Sequence, residues 1–471
     1  MKKSEFEYLL RNTSGNSKKD IATREDDFPQ WYQDVIVAAD LAENGPSKGS
    51  MIIKPYGYAI WEAIKSELDE RIRAAGVPNM YFPMFIPESL LHKEANHIEG
   101  FAPEVAVVTH AGGKELEEKL IVRPTSETII YDSFSHWIQS YRDLPLMINQ
   151  WANVVRWELR PRMFLRTTEF LWQEGHTAHS TELEADTFAR AMLTMYQNVA
   201  ENVMAIAVTA GEKSERERFA GAAKTYTLEP MMQDGKALQF ATSHNLGDTF
   251  AKAFDVNFSA EDGSTQPVWQ TSWGMSTRSI GGLIMSHSDD KGLVLPPLLA
   301  PLKVVITTVG GDNAEVKTAA QKIANTIAET VLVDDRDISP GEKFFAHEKR
   351  GIPIRIEIGP RDLENNQVVM VLRDTGEKKT VVINDVAKFI SPELAAMQQR
   401  LYAQSQTRLS ENTVDCSSPE EAIAAIKNSK FALASFEVTA ELETSLKKDH
   451  GITVRCYPFE KDAKTLLAKA Y

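Results

Sequence analysis

Residues 149–179 constrain this chain more than any other stretch, because two apolar segments there flank a short basic loop. The order NQWANVVRWELRPRMFLRTTEFLWQEGHTAH predicts two antiparallel strands joined by that loop. Arg156 and Arg166 are expected to face each other across the hairpin. Burying an arginine among apolar residues is costly unless an anion lies opposite it. Two interpretations remain open: a clamp for phosphate or carboxylate, or structural ion pairs with Glu158 and Glu169.

The composition limits the class of protein. A chain of 471 residues, 43% of them hydrophobic, is long enough for two or three domains. Its two cysteines exclude a disulfide framework and an all-cysteine zinc site made by this chain alone. We see no signal-peptide pattern and no membrane-spanning stretch, so we expect a soluble, cytoplasmic protein. The net charge of −14 argues against a nonspecific nucleic-acid coat, but a nucleic acid bound at local basic patches stays possible.

The segment 51–75 has the pattern of an amphipathic helix, with apolar residues every fourth position. These are Ile60, Ile64, Leu68 and Ile72. Gly76 and Pro78 are expected to end the helix. The apolar run 80–87 follows, and Pro83 in its middle places it at a sheet edge or at a subunit boundary rather than in a sheet centre.

Two polar segments are candidates for ligand contacts. Thr125, Ser126 and Glu127 stand at the start of a predicted helix, where they either cap it or grip an ammonium group. Arg278 stands near the start of a helix of small residues, where a cation is unfavourable unless an anion joins it. The sequence has neither a Walker loop nor a dinucleotide glycine pattern, so a bound nucleotide would depend on the three arginines, which we expect on strands.

The prolines at 296, 297 and 301 predict a boundary, after which strands and helices alternate as in a compact α/β domain. Within it, Ser339-Pro340-Gly341-Glu342 is a strong helix-start signal. The segment 352–358 alternates isoleucine with polar residues and predicts a half-buried strand.

Several segments, in this order, resemble the prolyl-tRNA synthetase family of class II aminoacyl-tRNA synthetases. They are RPTSETI, NVVRWELRPRMFLRTTEFLWQEGHTAH, ATSHNLG, SWGMSTRSIGG with GLVLPP, PGEKFFAHEKRGIPIRIEIGPRDL and a final tyrosine. The chain is similar to the archaeal and eukaryotic-like branch, because only about a hundred residues separate the hairpin from the Arg278 segment. That spacing excludes the editing insertion of many bacterial relatives at this place.

The resemblance implies an α+β catalytic domain, an antiparallel sheet flanked by helices, over residues 1–297. It implies an α/β anticodon-binding domain over 298–388 and a small, mostly helical α/β domain over 389–471. The helix around residue 60 and the run that contains Pro83 would form a homodimer interface.

The resemblance also implies a reaction and its residues. ATP and proline would give prolyl-adenylate, and the prolyl group would pass to tRNA(Pro), with Mg²⁺ accompanying the ATP. Arg156 and Arg278 would be catalytic. The expected ATP contacts are Arg156, Glu158, Arg166, Thr167, Phe170, Gln239, Thr242 and Arg278. The expected proline contacts are Phe101, Thr125, Glu127, Arg156, Trp172, Glu174, His176, Thr242, His244 and Ser276.

Three further expectations concern the second half of the chain. Glu348, Arg355 and Arg361 fall where the family reads the guanines of the anticodon; without the resemblance each is a solvated surface charge. Relatives often carry four zinc-binding cysteines in the tail, but FALASFEV and PFEKDAKTLLAKAY lack them, so we expect no zinc and a tail held by packing alone.

Other functions remain open. His176 and His179 have the spacing of a metal-ligand pair, but they lie in the substrate motif and we expect no metal there. A noncatalytic tRNA-binding or regulatory paralogue is the alternative to an enzyme. Activation of another amino acid by the same fold is a third possibility, against which Thr125, Glu127, Trp172 and His176 argue.

Overall fold

The computed structural model describes residues 6–11, 20–91, 93, 105–461 and 464–471. Phe101, which we expect to close over the proline pocket, lies outside these ranges. The α-helices of the described residues are Tyr8–Arg11, Phe28–Ala38, Pro55–Ala74, Glu88–Leu91, Glu127–Trp137, Glu182–Asn198, Thr249–Ala253, Arg278–His287, Ala314–Thr326, Pro340–Lys349, Pro360–Glu364, Val386–Glu411, Pro419–Lys427 and Ala440–Ser445.

The largest sheet of the described residues has ten strands, and we call it the main sheet. From edge to edge its strands are Thr413–Cys416, Phe431–Ala434, Thr465–Lys469, Ile452–Pro458, Val208–Glu212, Lys224–Pro230, Ala241–Gly247, Trp269–Ser276, Glu169–His179 and Leu146–Val155. Only the first pair is parallel. The antiparallel sheet expected for the first part of the chain is therefore confirmed.

Smaller sheets complete the strands. A five-stranded sheet contains, in spatial order, Val331–Asp334, Val304–Thr308, Ile354–Ile358, Gln367–Leu372 and Lys378–Val382. A three-stranded sheet contains Phe85–Pro87, Lys114–Val122 and Ala106–Ala111, and two hairpins pair Ala42–Asn44 with Met51–Ile53 and Asn257–Ser259 with Thr265–Pro267. Phe85–Pro87 is an edge strand, as Pro83 just before it predicts.

The predicted hairpin is present, but its arginines are placed differently from our expectation. The two strands pair until Val155 meets Glu169, and the Arg156 amide then donates to the Thr168 carbonyl at 2.8 Å. Arg166 instead pairs with Arg162 inside the loop, so it does not face Arg156. The prediction that the arginines lie on strands is wrong, because the loop forms its own tight turn and because Arg278 begins a helix.

Other local predictions are confirmed. The helix Pro55–Ala74 buries the four predicted apolar residues. The helix Pro340–Lys349 starts with a capping box between Ser339 and Glu342. The strand Ile354–Ile358 buries its isoleucines, while Arg355 and Glu357 on the other face are partly exposed.

The five-stranded sheet is joined to the main sheet through buried polar contacts. Arg373 forms a bidentate ion pair with Asp289, at 2.8 and 2.7 Å, and its Nε donates to the Glu348 carbonyl at 2.8 Å. Asp289 follows the helix Arg278–His287. The pair therefore fixes the far end of that helix relative to the second sheet.

The tail is held by more than packing, so that expectation is wrong. Its strand Ile452–Pro458 pairs with Val208–Glu212, which makes the tail part of the main sheet. Arg455 donates to the buried Glu229 at 2.9 and 2.7 Å, and Lys213 donates to the same carboxylate at 3.2 Å. Burial would raise the pKa of Glu229, but Lys213 and Arg455 outweigh burial and lower it.

This buried ion triad yields a stability prediction. Arg455→Met should lower the free energy of unfolding by roughly 3–5 kcal/mol, because it leaves the buried Glu229 with one cation fewer. Denaturant unfolding measures the change. The matched control is Lys464→Met, which removes an exposed pair with Asp415 and should change little. Equal effects of the two substitutions would contradict the prediction.

Candidate active site

A cavity of about 210 Å³ opens on one face of the main sheet. It gathers side chains from the helix at residue 127, from four adjacent strands and from the start of the helix at residue 278. The predicted residues that line it are Thr125, Glu127, Arg156, Phe170, Trp172, Glu174, His176, Gln239, Thr242, His244, Ser276 and Arg278.

Strand alternation explains why these residues meet. Trp172, Glu174 and His176 occupy every second position of one strand and so point to one face of the sheet. On the neighbouring strand, Ser276, Gly274 and Ser272 stand directly opposite them. The next strand adds Thr242 opposite Gly274 and His244 opposite Ser272. Three rows of side chains, each running across neighbouring strands, therefore form the floor of the cavity.

Glu174 is the centre of a buried hydrogen-bond network in this floor. Its carboxylate accepts from Ser126 Oγ at 2.5 Å and from Gln150 Nε2 at 2.7 Å. His176 Nε2 lies 3.0 Å from the other oxygen, and Tyr131 Oη lies 3.1 Å from His176 Nδ1. Glu174 and His176 are thus held in one orientation by other buried groups.

The polar segment at residue 125 does not cap its helix through side chains. Ser126 occupies the N-cap position but makes no side-chain cap bond, since its hydroxyl donates to Glu174. Thr125 Oγ1 donates to the carboxylate of Glu127. Because Thr125 and Glu127 both line the cavity, the geometry favours the ligand interpretation over capping.

Two of the three arginines reach the cavity. Arg156 Nε donates to the Pro124 carbonyl at 2.9 Å, and its guanidinium lies 5.5 and 5.7 Å from the ring centres of Phe170 and Trp172. Arg278 Nε donates to the Leu165 carbonyl at 3.2 Å. Main-chain carbonyls thus position both guanidinium groups.

The electrostatics of Arg278 indicate a cationic site. Burial, and next the positive charges of Arg156 and Arg166, lower the pKa of Arg278 to about 10. A bound polyanion would reverse both effects, because it neutralises the charges and replaces the lost hydration. The site is therefore built to receive negative charge.

The alternative of ion pairs inside the hairpin has little support. The Glu158 carboxylate accepts from the Arg160 amide at 3.1 Å, and the Glu169 carboxylate accepts from Asn153 Nδ2 at 2.7 Å. The exposed Arg166 donates through Nη2 to the carbonyl of the last residue, Tyr471, at 3.0 Å. The chain terminus thus reaches the loop next to the cavity.

Some predicted residues do not line the cavity. Glu158, Arg166 and Thr167 lie in the hairpin loop outside it. The three residues expected to read a nucleic acid lie in or beside the second sheet: Arg361 is exposed, Arg355 pairs with Glu357 and lies 4.5 Å above the Phe344 ring, and Glu348 lies 3.5 Å from Lys291 Nζ.

Sequence reasoning missed other residues that line the cavity. These include Lys213, Glu217, Phe219, Thr225 and Ser272. Ser272 carried a signal, because it continues the alternation of Gly274 and Ser276 along one strand. Its Oγ and Trp172 Nε1 are buried without a hydrogen-bond partner among the described residues, as is expected of groups that await a ligand or water. The segment 213–219 has no periodicity and gave no signal.

The described part of the chain contains no cluster of three or more His, Cys, Asp or Glu side chains that could hold a metal ion. His179 does not join His176, because its Nε2 lies 2.7 Å from Thr177 Oγ1. Both cysteines, Cys416 and Cys456, are buried and free. Across the described ranges no helix has the length and apolar character needed to cross a membrane.

Comparison with known proteins places these features in a family. A model described as the tRNA synthetase class II core domain (G, H, P, S and T) matches residues 108–287, and one described as an anticodon binding domain matches residues 303–393. The proline–tRNA ligase of Chlorobaculum tepidum is 52% identical over 448 residues, 94% of this chain and 93% of that protein. Those of Chloroherpeton thalassium and Parabacteroides distasonis are 51% and 48% identical, with 94% of each chain covered.

The cavity histidine yields a pH prediction. Burial lowers the pKa of His244 from 6.5 to about 4, although nearby Glu127 raises it. The unfolded chain therefore binds a proton between about pH 6.5 and 4 that the folded protein does not bind, and stability falls as the pH falls through this window. The unfolding free energy of His244→Gln should therefore depend less steeply on pH than that of the wild type. The slope should be smaller by at most about 1.4 kcal/mol per pH unit.

Denaturant unfolding at several pH values measures this slope. His179→Gln should reduce it in the same direction, because burial also lowers the pKa of His179 to about 4. Identical slopes for the wild type and both variants would contradict the prediction.

Proposed function

This chain belongs to the proline–tRNA ligase family of class II aminoacyl-tRNA synthetases, and we propose that the cavity is where it activates proline with ATP and charges tRNA(Pro). The single observation that carries the proposal is the shared cavity itself. It brings two carbonyl-anchored guanidinium groups next to the buried pair Thr125 and Glu127. An anion site beside an ammonium site is what ATP and an amino acid require.

The proposed first step needs no nucleophile from the protein. The proline carboxylate attacks the α-phosphorus of ATP, the bond to the β-phosphate oxygen breaks, and prolyl-adenylate and pyrophosphate form. The protein positions the reactants and neutralises charge, which accelerates an in-line displacement. In the second step a ribose hydroxyl of the 3'-terminal adenosine of tRNA(Pro) attacks the prolyl carbonyl, and AMP leaves.

The ATP subsite is assigned to the arginine side of the cavity. Arg156 contacts the α-phosphate and the proline carboxylate, while Arg278 contacts the γ-phosphate and one face of adenine, with Phe170 on the other face. Gln239 and Thr242 complete the cavity contacts, and Glu158, Arg166 and Thr167 approach from the hairpin loop. Mg²⁺ arrives with the ATP as part of the substrate and takes phosphate oxygens as ligands.

The proline subsite is assigned to the opposite side. Glu127, oriented by Thr125, accepts from the secondary ammonium in a charge-assisted hydrogen bond. Trp172, His176 and His244 enclose the ring. Ser276 lies opposite Trp172 on the next strand, and Thr242 lies one strand further. Glu174 holds His176 through its hydrogen bond. Phe101 is proposed to cover the ring, although it falls outside the described residues.

The assignments beyond the cavity are proposals of the same kind. We assign residues 1–297 to catalysis, 298–388 to anticodon binding and 389–471 to a tail without zinc. Glu348, Arg355 and Arg361 are proposed to read the anticodon guanines, a contact for which a guanidinium is well suited. The protein is proposed to be cytoplasmic and homodimeric. Exposed aromatic residues on and after the helix Pro55–Ala74 support the dimer: Tyr58, Tyr81 and Phe85.

Proline-dependent exchange of pyrophosphate into ATP tests the proposed function without tRNA. The wild type should exchange faster with proline than with any other amino acid in a panel. Arg278→Met should lower the exchange rate about 10²–10³-fold, because it removes a cation from the developing charge. Glu127→Gln should raise the KM for proline more than the KM for ATP.

The control is Arg142→Met, an exposed arginine stacked on Tyr141 outside the cavity, which should leave exchange unchanged. Absence of proline-dependent exchange in the wild type would contradict the proposal and favour a noncatalytic tRNA-binding protein. Faster exchange with a different amino acid would show that this amino acid, and not proline, is the substrate.

The fold also predicts that the protein does not edit misacylated tRNA. Residues 180–268 form one helix, three strands of the main sheet, a short helix and a hairpin, so a separate insertion domain is absent from this described segment. A small apolar pocket discriminates one methylene by only about 1–3 kcal/mol, so alanine should be activated at a low rate. Alanyl-tRNA(Pro) incubated with the protein should decay at the rate seen without it. Rapid clearance would refute the prediction.

A further inference from the structure

One wall of the cavity is a connecting segment rather than a strand or helix. Residues 213–219 follow the strand Val208–Glu212, and Lys213, Glu217 and Phe219 line the cavity. The Phe219 ring lies 4.7 Å from the His244 ring. A connecting segment at the surface is held by whatever it contacts, since it has no ladder of its own. The position of this wall therefore depends on its neighbours.

One set of neighbours lies beside the adjacent strand: the Lys213 amide donates to the Thr225 carbonyl at 2.8 Å and the Phe219 amide donates to Thr225 Oγ1 at 3.0 Å. The other set belongs to the tail of the chain. Ser214 Oγ donates to Glu443 Oε1 at 3.0 Å, and both residues are buried. Lys447 Nζ lies 2.8 Å from Glu217 Oε1. Arg216 donates to Thr444 Oγ1.

The first residue of the wall is fixed by the buried ion triad. Lys213 Nζ donates to Glu229 at 3.2 Å and to the Arg455 carbonyl at 3.4 Å, while Arg455 binds Glu229 through two nitrogens. The wall is thus attached to tail residues along most of its length. Among the described residues that line the cavity, none lies beyond Arg278, so the tail acts on this side of the cavity through the wall.

We propose that tail residues 443–455 position the 213–219 wall of the proline pocket, with Glu443 as the positioning residue, and so set how closely the pocket encloses the ring. The inference rests on the proposed function, because it names the cavity as the proline site. Discrimination against smaller amino acids depends on wall contacts that a smaller side chain cannot make. A wall released from the tail loses those contacts for proline and leaves alanine binding almost unchanged.

The exchange assay with full-length protein tests this role. Glu443→Ala should raise the KM for proline about 5–10-fold and lower the preference for proline over alanine, because a loosened wall weakens uniform binding. The KM for ATP and kcat should stay within about twofold of the wild-type values. Glu443→Gln keeps an acceptor for Ser214 and should restore the wild-type KM. Because Ser214→Ala removes the same contact, adding it to Glu443→Ala should cause no further loss.

Lys448→Met is the matched control, since Lys448 is exposed and adjacent to Lys447; it should behave as the wild type. An unchanged KM for proline in folded Glu443→Ala would overturn the proposal, as would equal losses in both KM values and kcat. If Glu443→Ala does not fold, Lys447→Met tests the proposal instead, because it removes the exposed ion pair between Lys447 and Glu217. A KM for proline raised about twofold or more supports the positioning role of the tail, and an unchanged KM for proline overturns it. Absence of exchange in the wild type refutes the proposed function itself.

Discussion

Two guanidinium groups held on one face of an antiparallel sheet are the constraint on which the rest of the structure depends. Main-chain carbonyls anchor Arg156 and Arg278. Burial, and next the positive charges of Arg156 and Arg166, lower the pKa of Arg278, so an anion beside it would be favourable. The sheet, the hairpin loop and the helix that Arg278 begins hold the two guanidinium groups in place. Under the proposed function, these preorganised charges would need no rearrangement when the adenylyl group is transferred to proline.

The side of the cavity that we propose for the amino acid is built differently. It buries polar groups and satisfies them with one another, as Glu174 does for Ser126, Gln150 and His176. These connected buried groups hold one another in place and so help to fix the shape of a small pocket. The wall that lacks such a network, residues 213–219, takes its support from the tail. This chain lacks the zinc-binding cysteines that relatives often carry in the tail. Its tail is nevertheless fixed, because β-pairing and the buried ion triad join the tail to the main sheet.

Several parts of this architecture could be predicted from local pattern. The helix Pro55–Ala74, the two strands of the hairpin and the capping box at Ser339 are each specified by residues within a few positions of one another. Trp172, Glu174 and His176 were grouped by the family resemblance, and strand alternation explains why they share one face. The roles of the three arginines came from family resemblance, since the spacing alone left phosphate binding and ion pairing equally open.

The sequence by itself determined the family, most of the elements and most of the polar residues of the floor, because those are encoded by motifs and by short-range periodicity. Only the tertiary structure decided that Arg166 leaves the strand ladder for the loop, that Ser126 bonds to Glu174 instead of capping its helix, and that residues 213–219 form a wall supported by the tail. The last two features join positions tens to hundreds of residues apart, through contacts such as Ser214 with Glu443. Such contacts leave no periodic signal, since they depend on which surfaces the folded sheet brings together.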